Sequence, residues 1–342
     1  MRGDQETKLK KALSAMVILA FAGFCLFTAV GLELVDFARQ PAAPGARDQV
    51  VAIASGQSMA QIAAALEARG IVRDALKFRL LARLRGDDRR IQAGEYTLSA
   101  ALAPREILEV LVGGRVRHRR ITIAEGLTVA QIADLVEAAG LATAEEFQAA
   151  ARDPAALAAA GIEAESFEGY LFPDTYFFTA TDTPADMVAA MAARFGQVFG
   201  PRWKARAEEM GWTVHQVVTL ASIIEKETGV PGERALISGV FHNRLRRGMR
   251  LQSDPTVIYG IAEFDGNLTR RHLETPTAYN TYLIFGLPPG PIANPGAAAI
   301  EAALFPGETD ALYFVSRNDG THVFSATYAE HTRAVRRYQS GR

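Results

Sequence analysis

Leu220-Ala221-Ser222-Ile223-Ile224-Glu225-Lys226-Glu227-Thr228 sets two carboxylates into an otherwise apolar stretch. Upstream, Thr213-Val214-His215-Gln216 has the Thr-x-x-Gln form of a capping box, and Gly229 and Pro231 follow the stretch. The spacing therefore predicts a helix that starts at Thr213 and ends before Gly229. A carboxyl held in apolar surroundings keeps its proton to higher pH, which suits it to donate that proton. At about 100° per residue from Val217, Glu227 falls at about 280°, inside the arc of Leu220, Ile223 and Ile224, while Glu225 falls at about 80°, at its edge. Phase selects Glu227 as the more buried of the two. The competing reading pairs one or both glutamates with Arg234, Arg244 or Lys226 on the surface.

The N-terminus decides where such chemistry takes place. Ala12 to Leu32 carries no charge, and about 21 residues at about 1.5 Å each are enough to cross a hydrocarbon core of about 30 Å. Arg2, Lys8, Lys10 and Lys11 precede this segment against Asp4 and Glu6, and Glu33 and Asp36 follow it. The charge bias predicts a cytoplasmic tail (1–11), a transmembrane helix (12–32) and an exported remainder. That is a single-pass anchor in the inner (cytoplasmic) membrane with its N-terminus inside. A cleaved signal peptide is the alternative, but Gln40-Pro41-Ala42-Ala43-Pro44-Gly45 reads as part of a linker, 33–48.

With 342 residues, 49% hydrophobic and 22% charged, the chain has room for two or three globular domains. Its formal charge of -1 offers no reason to expect nucleic acid. The only cysteine, Cys25, lies in the apolar segment, so disulfides are excluded from the exported part. The 6 histidines show no H-E-x-x-H spacing, and neither metal nor cofactor is expected.

Val51-Ala52-Ile53-Ala54-Ser55-Gly56-Gln57-Ser58-Met59-Ala60-Gln61-Ile62-Ala63 lines up with Ile121-Thr122-Ile123-Ala124-Glu125-Gly126-Leu127-Thr128-Val129-Ala130-Gln131-Ile132-Ala133, and Gly70 with Gly140. Each copy reads as a strand, a glycine turn, a Ser or Thr cap and an amphipathic helix closed by glycine. The first copy continues through a helix at Asp74–Arg85, a strand at Ala93–Leu98 and a helix at Pro104–Val112. This order over 49–117 resembles a LysM-like module, a fold that commonly binds GlcNAc-containing glycans; a spacer packed on the next domain fits the same order. Ala142 to Ala164 is Ala-rich and helical. Phe167 to Phe177 is aromatic, suited either to sugar faces or to a core strand after a turn at Pro173-Asp174.

After the helix come Phe241-His242-Asn243-Arg244-Leu245, then Gly248-Met249-Arg250-Leu251-Gln252-Ser253-Asp254-Pro255-Thr256-Val257-Ile258-Tyr259-Gly260, then Leu273-Glu274-Thr275-Pro276-Thr277-Ala278-Tyr279-Asn280-Thr281-Tyr282, then Gly286 to Gly296. Such Pro/Gly/Asn/Tyr stretches are ordered loops, where binding sites gather. Gln252, Ser253, Tyr279, Asn280 and Tyr282 are the candidates for a sugar groove; each could equally hold its own loop together. Asp254-Pro255 also reads as a helix start, with Asp254 as cap. A hairpin at 313–324 around Asn318-Asp319-Gly320 closes the chain.

Taken in order, Ala221–Thr228, Gln252–Gly260, Thr277–Tyr282 and the 286–296 run resemble the MltG (YceG-like) endolytic murein transglycosylases over nearly the whole chain. The resemblance implies an α+β fold: a transmembrane helix, the LysM-like domain and a mixed α+β catalytic domain over 118–342 with its catalytic glutamate on a helix. The catalytic residue it implies is Glu227, in agreement with helix phase. It implies cleavage of the MurNAc-β-1,4-GlcNAc bond of peptidoglycan to 1,6-anhydro-MurNAc ends, beside peptidoglycan synthases. A hydrolytic muramidase would need a second carboxylate. Asp254, Glu274, Glu168 and Glu225 are the candidates for it, and a non-catalytic glycan-binding scaffold is a third reading.

Overall fold

The computed structural model describes residues 2–339; Met1 and residues 340–342, the extreme ends of the expected tail and C-terminal domain, lie outside the described residues. The protein is a mixed α+β chain in two compact units. One runs to His118 and includes Thr179–Thr181, and the other comprises Arg119–Phe178 and the residues from Asp182 onward.

The first unit holds α1 (Arg2–Arg39), β1 (Asp48–Ile53), α2 (Met59–Ala68), α3 (Ala75–Arg85), β2 (Gly94–Ser99) and α4 (Pro104–Val112). Within α1, Met16–Arg39 is long and apolar enough to cross a membrane, with a mean hydropathy of 2.2. Leu19, Phe21, Phe24 and Phe27 on it are exposed. The helix does not end at the expected linker. It continues to Arg39 because Leu34, Phe37 and Ala38, at helical spacing, pack into the core of the unit. Residues 33–39 of the expected 33–48 linker are therefore helical, and non-helical chain follows from Gln40. β1 and β2 pair antiparallel with Val51 opposite Tyr96, and Phe78, Ile107, Leu108 and Leu111 complete the core.

The second unit runs β3 (Arg119–Thr122), α5 (Val129–Ala138), α6 (Ala144–Ala150), α7 (Pro154–Ala159), β4 (Thr175–Phe178), α8 (Pro184–Val198), α9 (Pro201–Glu209), α10 (Val214–Glu227), α11 (Arg234–Arg246), α12 (Asp254–Tyr259), α13 (Arg270–Glu274), α14 (Ala297–Leu304), β5 (Tyr313–Ser316), β6 (His322–Ser325) and α15 (Tyr328–Tyr338). β3 pairs with β4 and β5 with β6, both antiparallel. The sequence repeat is also a structural one. Ser58 and Thr128 each cap a helix reciprocally with Gln61 and Gln131. The turns before them place Gly56 and Gly126 at φ +76 and +78, a left-handed backbone open to glycine at no steric cost.

Helix α10 is the centre of the second unit. Val217 through Ile224 are all buried, so the helix is enclosed on every side, as a helix apolar around its whole circumference must be. Alanine-rich α14 lies against it, its small side chains allowing close approach. The two buried hydroxyls are satisfied: Thr219 donates to the His215 carbonyl, and Ser222 donates to the Thr219 carbonyl while accepting from the Ile292 amide. At its start, Thr213 accepts from the Gln216 amide at 3.2 Å and Gln216 accepts from the Thr213 amide at 2.9 Å. Thr213→Ala is expected to cost about 1 kcal/mol and Thr213→Ser to be nearly silent, measured as the shift in urea midpoint of the helical signal.

Candidate active site

Glu227 is the last residue of α10; Thr228 turns extended at φ -147, and Gly229 and Pro231 prevent further helix. Part of its surface remains open to solvent, yet dense protein lies around it. Burial pushes its pKa up to about 7, helped by the nearby charge of Asp254 and opposed by a hydrogen bond from Ser253 and by the Arg244 guanidinium. Its place at the negative end of the helix dipole also works against ionisation.

The Ser253 hydroxyl donates to Glu227 Oε1 at 2.5 Å. The backbone conformation of Gln252 puts it there. Gln252 has φ 51, a left-handed value that costs a non-glycine residue about 1–3 kcal/mol, and is held by its amide to the Thr281 carbonyl and by its side chain to Arg244. Ser253 is buried, with its own amide donating to Thr281 Oγ1. It occupies the cap position of α12, correcting the expected start by one residue: Asp254 is the first residue of the helix. The Ser253 side chain makes no capping bond; its hydroxyl is turned toward Glu227. Asp254 instead accepts from the Tyr282 hydroxyl at 2.7 Å.

Arg244 lies behind this cluster, its guanidinium donating to the carbonyls of Leu312, Arg250 and Leu251 as well as to Gln252. Its role was legible only as a possible ion-pair partner, since nothing local in the sequence shows that two separate loops converge on one guanidinium. Glu225 is engaged elsewhere. It accepts from the Gly296 amide at the start of α14 and faces Arg234 at 3.7 Å, with burial and Glu125 raising its pKa. The pairing with Arg234 expected at the surface is thus found in a nearly closed clamp, both side chains being about nine-tenths covered.

The structure brings Glu227, Gln252, Ser253 and Tyr282 together but treats Asn280 differently. Asn280 is fully buried, its amide donating to the carbonyls of His272, Leu273 and Thr275 and its carbonyl accepting from the Tyr282 amide. Its side chain holds the loop and thereby aims Tyr282. Tyr279 stands apart from Glu227's hydrogen bonds, its ring edge-on to Tyr259 at 4.8 Å. Of the other carboxylates, Glu274 pairs with Arg270 on exposed α13. Glu168 is buried and pushed up to about 7, held by the Val129 amide, the Tyr259 hydroxyl and Asn294. Among the described residues no group of three or more His, Cys, Asp or Glu converges to hold a metal ion.

The arrangement is a single proton-holding carboxyl with one hydroxyl aimed at it, and one carboxylate and Tyr282 beside it. The family model of the YceG-like family matches residues 51–337, and so takes in residues of both units. The chain belongs to the YceG-like family. It is similar to the endolytic murein transglycosylase of Bacillus subtilis, 32% identical over 85% of this chain and 84% of the relative. It is also similar to that of Streptococcus pneumoniae strain D39, 30% identical over 83% of this chain and 57% of the relative, so it spans little more than half of that protein. A solved yceG-like protein of Listeria monocytogenes matches with a TM-score of 0.59 at 32% identity, covering 85% of this chain and all of that one.

Two outcomes follow from the electrostatics. Ser253 stabilises the ionised form of Glu227, so Ser253→Ala should raise the Glu227 pKa above about 7, read by carboxyl carbon NMR. An acid whose folded pKa exceeds its unfolded value keeps its proton in the folded state, so its contribution to stability falls as pH rises from 4.5 to about 7. Glu227→Gln should therefore stabilise the chain at pH about 8 by about 1–3 kcal/mol, a figure reduced for the solvent-open part of the group, and should not do so near pH 4.

Proposed function

We propose that the protein is an endolytic lytic transglycosylase that cleaves MurNAc-β-1,4-GlcNAc bonds of peptidoglycan, with Glu227 as acid and then base. The observation that carries this reading is a solvent-reachable carboxyl whose pKa stands at about 7, so it is protonated before reaction and able to take a proton back afterwards. Protonated Glu227 donates to the glycosidic oxygen and the C1–O bond breaks, leaving an oxocarbenium-like centre. The C6 hydroxyl of the same MurNAc then attacks C1, and its proton goes to the Glu227 carboxylate. No water is consumed, and the product ends in a 1,6-anhydro ring. An intramolecular nucleophile has a high effective molarity, which removes the need for a second carboxylate.

Ser253 sits where its hydroxyl donates a hydrogen bond to ionised Glu227, steadying the carboxylate between the two steps. Gln252, Tyr279 and Tyr282 supply amide, hydroxyl and ring faces for the strand, and Asn280 holds the loop that carries the two tyrosines. Asp254 is the observation that favours a second reading, a hydrolytic muramidase, because it is a carboxylate close enough to raise the Glu227 pKa. Its engagement with the Tyr282 hydroxyl argues for a positioning part instead.

The apolar length of Met16–Arg39 supports a single-pass anchor in the cytoplasmic membrane, and the basic N-terminal flank supports an orientation with that end inside. The exported units would then meet nascent strands near the bilayer, in the neighbourhood of peptidoglycan synthases. The strand, helix, helix, strand order of the first unit supports a LysM-like glycan contact.

Mass spectrometry of muropeptides released from purified glycan strands is expected to show anhydro ends. Reducing ends would instead establish the muramidase, and no products a scaffold. Glu227→Gln should lower the rate by about 10²–10⁴-fold. Glu225→Gln should keep the anhydro product and cost about 1–3 kcal/mol of stability through its broken clamp.

A further inference from the structure

A wide concavity of the second unit lies apart from Glu227. It is an open cleft of about 1240 Å³ on the other end of α12, lined among others by Tyr259, Tyr279, Phe264, Arg152, Glu165 and Glu168. A small-molecule pocket takes roughly 300–1,000 Å³, so this one has room for an extended ligand. Helix α12 joins the two places: Ser253 and Asp254 at its start meet Glu227 and Tyr282, and Tyr259 at its end forms the cleft wall. Six residues of helix measure about 9 Å, within reach of one oligosaccharide.

The wall is built to stay rigid. The Tyr259 hydroxyl donates to buried Glu168 at 3.2 Å, and Glu168 is itself fixed by the Val129 amide and Asn294. Held in this way, the Tyr259 ring carries that of Tyr279 edge-on at 4.8 Å and 61°. The Tyr279 hydroxyl has no hydrogen-bond partner among the described residues, and Arg152 is exposed without an ion-pair partner among them. A locked aromatic pair with an unused hydroxyl and a cation nearby matches a polymer that has apolar ring faces, acetamido and hydroxyl groups, and carboxylates.

Resting on the glycan-cleaving reading of Glu227, we infer that this cleft is an extended subsite for the strand. An arm of N-acetylated aminosugars lies on Tyr259 and Tyr279 while the bond to be cut lies at Glu227. Such a subsite lets the enzyme hold a strand away from its end, and the energy it supplies goes to long substrates only.

The test is titration of the full detergent-solubilised chain, carrying Glu227→Gln to prevent turnover, with chitobiose and with chitohexaose. Chitohexaose is expected to bind more tightly. Tyr279→Ala should weaken it about fivefold to tenfold and leave chitobiose nearly unaffected. Ala262 is exposed and lines the same cleft, so Ala262→Trp narrows it without touching a core, and should produce the same selective loss. In the active chain both changes should raise KM for long strands. Unchanged chitohexaose affinity in both variants, with thermal unfolding as in the parent, would overturn the subsite. Tyr279-dependent chitohexaose binding in a chain that releases no anhydro ends would support the cleft while removing the transglycosylase reading on which the scissile position rests.

Discussion

A hydrogen bond of 2.5 Å between the Ser253 hydroxyl and Glu227 joins the two halves of this site, and the features around it follow from what that contact requires. The carboxyl has to be at the end of an apolar helix, where desolvation and the helix dipole both favour the protonated form. The hydroxyl has to arrive from a loop, and the loop reaches it only through the left-handed turn at Gln252. Arg244 holds that turn from below through its side chain and the carbonyls before it. The strained residue, the guanidinium and the buried serine form one device for delivering a single proton donor.

Opposing effects leave the carboxyl poised. Burial and Asp254 would drive the Glu227 pKa further up, and Ser253 and Arg244 pull it back, with the balance near neutrality. A group far above that point would not release its proton, and one far below would not hold it. Glu225, two residues earlier, is also largely covered but is committed to the start of α14 and to Arg234. It anchors the end of the helix on which Glu227 is displayed, and this division of labour explains how two neighbouring glutamates can have different chemistry.

Much of the architecture could be read from local pattern, because local physics decides it. The Thr213 and Gln216 reciprocal cap, the paired turns at Gly56 and Gly126, the helix at Pro104–Val112 and the hairpin around Asn318 all depend on residues a few positions apart. The linker was harder. Pro41 and Pro44 signal irregular chain, and it is found there, but Leu34 and Ala38 extend α1 to Arg39 because they find a core to enter.

The sequence by itself determined that one helix has an apolar arc with a carboxylate near its end, and that an apolar segment long enough for a membrane lies near the N-terminus, since periodicity, caps and composition act at short range. Tertiary structure alone decided which side chains face that carboxylate. Asn280 turned inward to serve three carbonyls, Arg244 rose from a presumed surface partner to the support of the loop, and Glu168 became the post behind Tyr259. Those outcomes depend on which distant loops meet, and a pKa near 7 is a property of that meeting rather than of the residues that carry it.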